Sequence, residues 1–243
     1  MKIFLSIYIL LIISFNSSYS QKNKKDSEEK SKIKNYNEVV DSTYKTDEGL
    51  FKVHSKMDKY LYEIPPNLLN KEMLMVTRIS KTANGIGYGG QKINSQVLRW
   101  EKKYDKILLR IVSYENIAND TLPISISVKN SNFEPILYSF DIETYNEKDS
   151  SVVIDVSSFF TEDIKAIGFP ERRRKQLKIT SLDKKRSFIE SIKSYPINIE
   201  ARNVLTYKSG SPPSLSNSQT VSLEINNSML LLPEDKMKPR LRD

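Results

Sequence analysis

The sequence predicts a mainly β protein: antiparallel sheets or a sandwich with one or two short helices, after a signal peptide. Three observations carry this. Apolar and polar residues alternate with period two through Met73–Ser80, Pro135–Tyr145 and Thr220–Asn226, the spacing of side chains along a half-buried strand. The segments between such runs are turns, not helix-length stretches, which disfavours a parallel α/β sheet. Hydrophobic residues at 38% and charged residues at 28% fit a globular chain and not a membrane bundle.

The first residues break that description. Lys2, the apolar run Ile3–Ile13 and the small-residue site Ser18-Tyr19-Ser20 have the three-part layout of a secretory signal peptide. The run falls short of the roughly 20 apolar residues a spanning helix needs. Cleavage is expected after Ser20, leaving no membrane span and placing the protein outside the cytoplasm: secreted, periplasmic or at the cell surface. The chain has no Cys, hence neither disulfides nor thiolate metal sites.

Residues 21–35, nearly all polar and charged, read as a disordered linker that buries too little apolar area to offset chain entropy. Tyr36, Val39, Val40 and Tyr44 then fall at helical spacing, with Asn35 as N-cap. Period two takes over at Gly49–His54 and Tyr60–Ile64, joined by a turn at Lys56–Lys59 and stopped by Pro65-Pro66. Met73–Ser80 has apolar residues on both faces and reads as a central strand. Gly85-Ile86-Gly87-Tyr88-Gly89-Gly90 satisfies G-x-G-x-x-G, but a strand and not a helix follows, so it reads as a hairpin loop and not a nucleotide site. Gln96–Lys102 and Lys106–Ser113 form the next hairpin, with Trp100, the sole tryptophan, assigned to the core.

Ile124–Lys129 alternates as a short strand, followed by strands at Pro135–Tyr145 and Val152–Val156. Ser157 or Ser158 caps a helix with Phe160, Ile164 and Ile167 on one face and Glu162 and Asp163 near its start, ended by Gly168 and Pro170. Glu171–Lys175, with Arg172–Arg174 at its centre, reads as a solvated turn before a strand at Gln176–Ser181. Leu182–Glu200 reads as turn, strand and Pro196 corner, with Phe188 and Ile192 on one core-facing side. Ile197–Tyr207 is a long strand, Lys208–Ser218 a Ser/Pro-rich loop, and Thr220–Asn226 and the apolar run Met229–Leu232 complete the β elements. The expected organisation is a small β module at 36–94, a larger antiparallel one at 95–232 and a connector at 233–243.

The net charge is +8, but both signs are mixed and the basic cluster Arg172–Arg174 has no interleaved aromatic residues, so no nucleic-acid partner is expected. The single histidine, His54, cannot supply H-E-x-x-H, and no nucleophile elbow accompanies it. It reads as a satisfied strand residue. No catalytic, cofactor-binding or metal-binding residue is assigned. Asn119-Asp120-Thr121 and Asn226-Asn227-Ser228 are glycosylation sequons by pattern.

Several stretches carry a further resemblance: Gly49–His54, Leu61–Pro65, Met75–Ser80, Gly87–Gln91, Leu182–Ile189, Ile192–Pro196, Asn198–Glu200 and Met237–Asp243. In this order they resemble the N-terminal region of a family of large secreted bacterial zinc-dependent metallopeptidases, in which two β-rich domains of unknown function precede the catalytic domain. The resemblance implies a non-catalytic portion, truncated or split, that packs on or positions polypeptide substrate for a catalytic domain outside this chain. The zinc and H-E-x-x-H-x-x-G-x-x-H helix would belong to that hydrolase domain. A stand-alone secreted or cell-surface β-sandwich binding module is the alternative.

Overall fold

The structure, a computed structural model, describes residues 33–213 and 219–235. The expected signal peptide, most of the 21–35 linker, positions 214–218 of the Ser/Pro loop and the connector from residue 236 lie outside the described residues.

Twelve strands follow the chain: β1 (Lys45–Asp47), β2 (Lys52–Lys56), β3 (Lys59–Ile64), β4 (Glu72–Thr82), β5 (Lys92–Lys103), β6 (Lys106–Val112), β7 (Ile136–Tyr145), β8 (Val152–Asp155), β9 (Ile179–Leu182), β10 (Phe188–Ser194), β11 (Asn198–Ser209) and β12 (Thr220–Leu231). They form one antiparallel, nearly closed sheet in the order β1-β2-β3-β8-β7-β6-β5-β4-β12-β11-β10, with β9 added to β11. Met57 and Tyr104 take left-handed backbone conformations (φ 55° each) in the β2–β3 and β5–β6 turns. Among the described residues four short helices decorate the sheet: α1 (Tyr36–Val39), α2 (Ile124–Ser131), α3 (Ser157–Thr161) and α4 (Glu171–Gln176).

The period-two pattern puts Tyr62, Ile64, Met73, Met75, Leu98, Trp100, Leu109 and Phe140 in one buried cluster. Trp100 is 1% exposed and packs edge-on against Phe51 and Tyr62, with ring centroids 6.0 and 6.3 Å away. Edge-to-face rings at such distances add stabilisation beyond the area they bury. From α3, Phe159 and Phe160 enter the same core, 5.7 Å from Phe140 and 6.4 Å from Tyr62. A second cluster, including Ile79, Phe169, Leu205, Tyr207 and Leu223, fills the other end of the sheet.

A polar thread crosses this interior. The Thr77 hydroxyl donates to Asn227 Oδ1 (2.8 Å), Asn227 Nδ2 donates to Asn203 Oδ1 (3.1 Å), and Asn203 Nδ2 donates to the Phe160 carbonyl (2.8 Å). Buried amides demand such partners, and here they lock β4, β12 and β11 to the end of α3.

The two ends of the strand order meet at a seam. The Leu50 N–H donates to the Tyr195 carbonyl (2.7 Å), the Ser194 N–H to Asp47 Oδ2 (2.9 Å), and the Ser194 hydroxyl to the Phe51 carbonyl (2.7 Å).

Several expectations are corrected. Ile124–Ser131 is helix α2, not a strand. Asn119 Oδ1 accepts from the Thr121 N–H (3.0 Å), Pro123 already has helical angles, and Ile124 and Ile126 are 57% and 67% exposed. The Ile/Ser alternation therefore marks no buried face. α1 stops at Val39 because Asp41 turns the chain by accepting from the Thr43 N–H (2.7 Å). α3 stops at Thr161, where Glu162 is extended, and Ile167 is reached through a separate 3-10 turn at Lys165–Ile167. Residues 171–176 form α4, not a turn. A bulge between Ile189 and Ser191 shifts the phase of β10, leaving Phe188 49% exposed and Ile192 buried. Both segments of the expected division, 36–94 and 95–232, contribute strands to the one sheet, and residues 94 and 95 are neighbours in β5.

Candidate functional site

The most elaborate polar constellation is built on the outer face of β2 and β3. Period two places Lys52 and His54 on the same side of β2, and the ladder sets Lys52 directly opposite Glu63. Tyr36 from α1 and Asn146 from the β7–β8 turn close over them. Glu63 is 1% exposed. Its Oε1 accepts from Lys52 Nζ (2.7 Å) and Asn146 Nδ2 (2.8 Å). Its Oε2 accepts from the Tyr36 hydroxyl (2.7 Å) and His54 Nε2 (2.9 Å). Thr46 holds the other ring nitrogen of His54 at 2.8 Å, and Asp149 stands 3.6 Å from Lys52.

Burial opposes ionisation of Glu63, but the hydrogen bonds from His54, Lys52, Tyr36 and Asn146 outweigh it and hold the carboxyl well below the usual range. Burial first, and then the same carboxylate, push the Tyr36 phenol up. Each carboxylate oxygen takes two donors, so Glu63 has no acceptor position left for a substrate proton or a cation. His54, Nδ1 on Thr46 and Nε2 on Glu63, is likewise fully engaged. Chemically the constellation is a clasp: it ties α1, β2, β3 and the β7–β8 turn through one charge.

The remaining sequence candidates are dispersed. Gly85–Gly90 form the β4–β5 hairpin loop, tucked in by the buried Ile86. Glu162 accepts from Tyr138 (3.2 Å) and Lys184 (3.0 Å) beyond the end of α3, not in a first helical turn. Asp163 grips Arg174, whose guanidinium lies 5.1 Å from the centre of the Tyr207 ring. Burial, and next the Asp163 charge, push the Tyr207 phenol up to about 12. Arg172 is exposed, and Arg173 bonds Gln176 (2.9 Å). Of the sequons, Asn119 caps a turn, while Asn226 lies within β12 and donates to Glu200 (2.7 Å).

Sequence reasoning missed Glu63, which sits on the face of β3 that alternation marks as solvent-facing. The available signal was Leu61 on that same face, which α1 covers through Val39.

Comparison with known sequence families supplies the classification. A domain of unknown function, DUF5118, matches residues 33–82, and a second, DUF5117, matches residues 90–243. The chain belongs to the DUF5117 family. No curated protein and no solved structure matches it. The DUF5117 segment supplies β5–β12 and the DUF5118 segment supplies α1 and β1–β4. Two ladders join them besides the β4–β5 hairpin: β3 pairs with β8 and β4 with β12. The clasp spans the same divide, with Glu63, His54, Lys52 and Tyr36 on the DUF5118 side and Asn146 within DUF5117.

Proposed function

We propose that this chain is the non-catalytic N-terminal portion of an exported zinc-dependent metallopeptidase. It packs on, or positions polypeptide substrate for, a catalytic domain outside the chain. The observation that carries the reading is the ordered series of matching stretches, two of which, Gly49–His54 and Ile192–Pro196, meet at the seam of the sheet. The resemblance thus falls on residues that close the fold.

The described residues do not fit the zinc. Among the described residues no group of three His, Cys, Asp or Glu side chains is arranged to hold a metal, and the one histidine has both ring nitrogens engaged. In this reading the zinc chemistry belongs to the catalytic domain, and this chain's part is packing and positioning.

Sequencing the gene beyond codon 243 tests the reading. An in-frame H-E-x-x-H supports it; a stop codon, with no peptidase co-purifying from the native host, overturns it. Export is tested separately by mass spectrometry of the extracytoplasmic protein, which should begin at Gln21. The second reading, a stand-alone secreted or cell-surface β-sandwich binding module, is favoured by a row of exposed cations, Lys193, Arg202, Arg78 and Lys92, which the ladders from β10 to β5 bring onto one face and which make no direct ion pair among the described residues.

A further inference from the structure

The clasp brings an amine, a carboxamide and a buried carboxylate to one point. Lys52 Nζ (2.7 Å) and Asn146 Nδ2 (2.8 Å) both donate to the same atom, Glu63 Oε1. The two nitrogens therefore stand no farther apart than those two hydrogen bonds laid end to end, and Asn146 Cγ is one covalent bond from Nδ2. Rotation within the flexible lysine stem moves Nζ toward the roughly 3–3.5 Å at which reacting atoms meet.

Asn146 is placed as the acceptor of such an attack. Its N–H donates to the Ser151 carbonyl (2.9 Å), its carbonyl accepts from the Ser150 N–H (2.8 Å), and the residue is buried. The Lys148 N–H donates to Asn146 Oδ1 (3.0 Å). A backbone donor at that oxygen polarises the carboxamide and stabilises the negative charge that attack at Cγ creates.

At rest Lys52 and Glu63 form an ion pair, and the hydrogen bond to Glu63 pushes the lysine pKa up. Attack needs the neutral amine, so it waits for a proton to cross the 2.7 Å hydrogen bond to Oε1. A slow step suffices, because the reaction happens once per molecule and its leaving group escapes to solvent beside the 35% exposed lysine side chain.

We propose that Lys52 and Asn146 join through an intramolecular amide bond, with Glu63 carrying the protons. Nζ gives a proton to Glu63 Oε1 and attacks Asn146 Cγ. The Nζ–Cγ bond forms and the Cγ–Nδ2 bond breaks. Nδ2 leaves as ammonium with the two surplus lysine protons, and Glu63 ends as the carboxylate it began. No oxidant or cofactor is consumed. Both transfers run along hydrogen bonds that Glu63 already accepts, so no free acceptor position is needed. The chain has no Cys, and this bond supplies the covalent tie that a disulfide gives other proteins. It fastens β2 to the β7–β8 turn, and with it the DUF5118 segment to the DUF5117 segment. Such a tie stabilises by constraining the unfolded chain.

Mass spectrometry of the folded chain, incubated at neutral pH for several days, tests the bond. The protein should be one ammonia lighter than its sequence, and a protease digest should contain the Lys52 peptide joined to the Asn146 peptide. Lys52→Arg keeps the charge opposite Glu63 but offers no amine that can lose its proton, so it should keep the full mass. Glu63→Gln and the parent chain held unfolded in urea should do the same, with cooperative thermal unfolding showing that each variant is folded. Full mass in the folded parent overturns the proposal, as does linkage that persists in folded Glu63→Gln. So does an ammonia loss that survives Lys52→Arg, the mark of Asn146 cyclising on its own backbone, or one confined to Gln21, the mark of N-terminal cyclisation. The bond needs only the fold, so neither result bears on the gene-sequence test above.

Discussion

Gly49 lies so close to Ser194 that a β-carbon at position 49 would stand 2.6 Å from the Ser194 hydroxyl oxygen and 2.7 Å from its carbonyl carbon. Backbone cannot yield there without breaking the three seam hydrogen bonds. Gly49→Ala is expected to destabilise the fold by about 1–3 kcal/mol, the usual range for overpacking. Urea unfolding would read this as a lower midpoint at unchanged slope; an unchanged midpoint would show that the seam tolerates the methyl group.

Glu63 predicts an acid limb. Its pKa is lowered in the folded state, so its contribution is full above the ordinary value near 4.5 and declines as pH falls toward the lowered one. Stability should be flat in this respect above about pH 5 and fall progressively below. In Glu63→Gln that part of the acid slope disappears, and the protein loses about 3 kcal/mol at neutral pH because the buried His54 and the half-buried Lys52 lose the charge they face. Denaturation midpoints from pH 3 to pH 8 check both.

Within Glu171–Lys175 the three arginines should separate. Arg174 holds Asp163 with two hydrogen bonds and covers the Tyr207 ring, a planar fork that lysine cannot reproduce. Arg174→Lys should destabilise by about 1 kcal/mol, whereas Arg172→Lys should stay within about 0.5 kcal/mol. Equal effects in thermal melts would refute the assigned role of Arg174.

The same comparison separates Phe188 from Ile192. Ile192→Ala should remove about 2–4 kcal/mol, and Phe188→Ala, half exposed, much less. The reverse order would mean that the bulge at Ile189/Ser191 is misplaced.

The two matched sequence families should not fold apart. Residues 33–82 alone would expose the β3 edge that β8 covers and the β4 edge that β12 covers. Expressed separately, each part should lack a cooperative transition, and mixing the two should restore one. An independently cooperative 33–82 fragment would overturn this.

Most strands were legible because each buries one face, so Met73–Ser80, Gln96–Lys102 and Thr220–Asn226 announce themselves by alternation. The same rule misassigned Ile124–Lys129, where alternation occurs without a neighbouring strand or a core. It also missed Glu63, because α1 covers what would otherwise be the wet face of β3, and a helix arriving from 27 residues upstream leaves no local periodicity. The phase of Phe188 was lost to a single inserted residue. The basic row was invisible for a related reason: Lys193, Arg202, Arg78 and Lys92 come from four strands, and only register aligns them.

The pairing of β4 with β12 has a consequence for how the molecule is made. Met75 meets Met229, and Leu74 meets Leu230, so a central strand finished early in synthesis waits for some 150 further residues, the separation of Thr77 from Asn227, before its second neighbour exists. Long-range pairing of this kind slows folding and leaves a bare hydrogen-bonding edge in the meantime. A chain emerging N-terminus first, from a ribosome or through a translocation pore, is therefore most vulnerable to aggregation and proteolysis until about residue 230 emerges, and holdase chaperones should engage it throughout that interval.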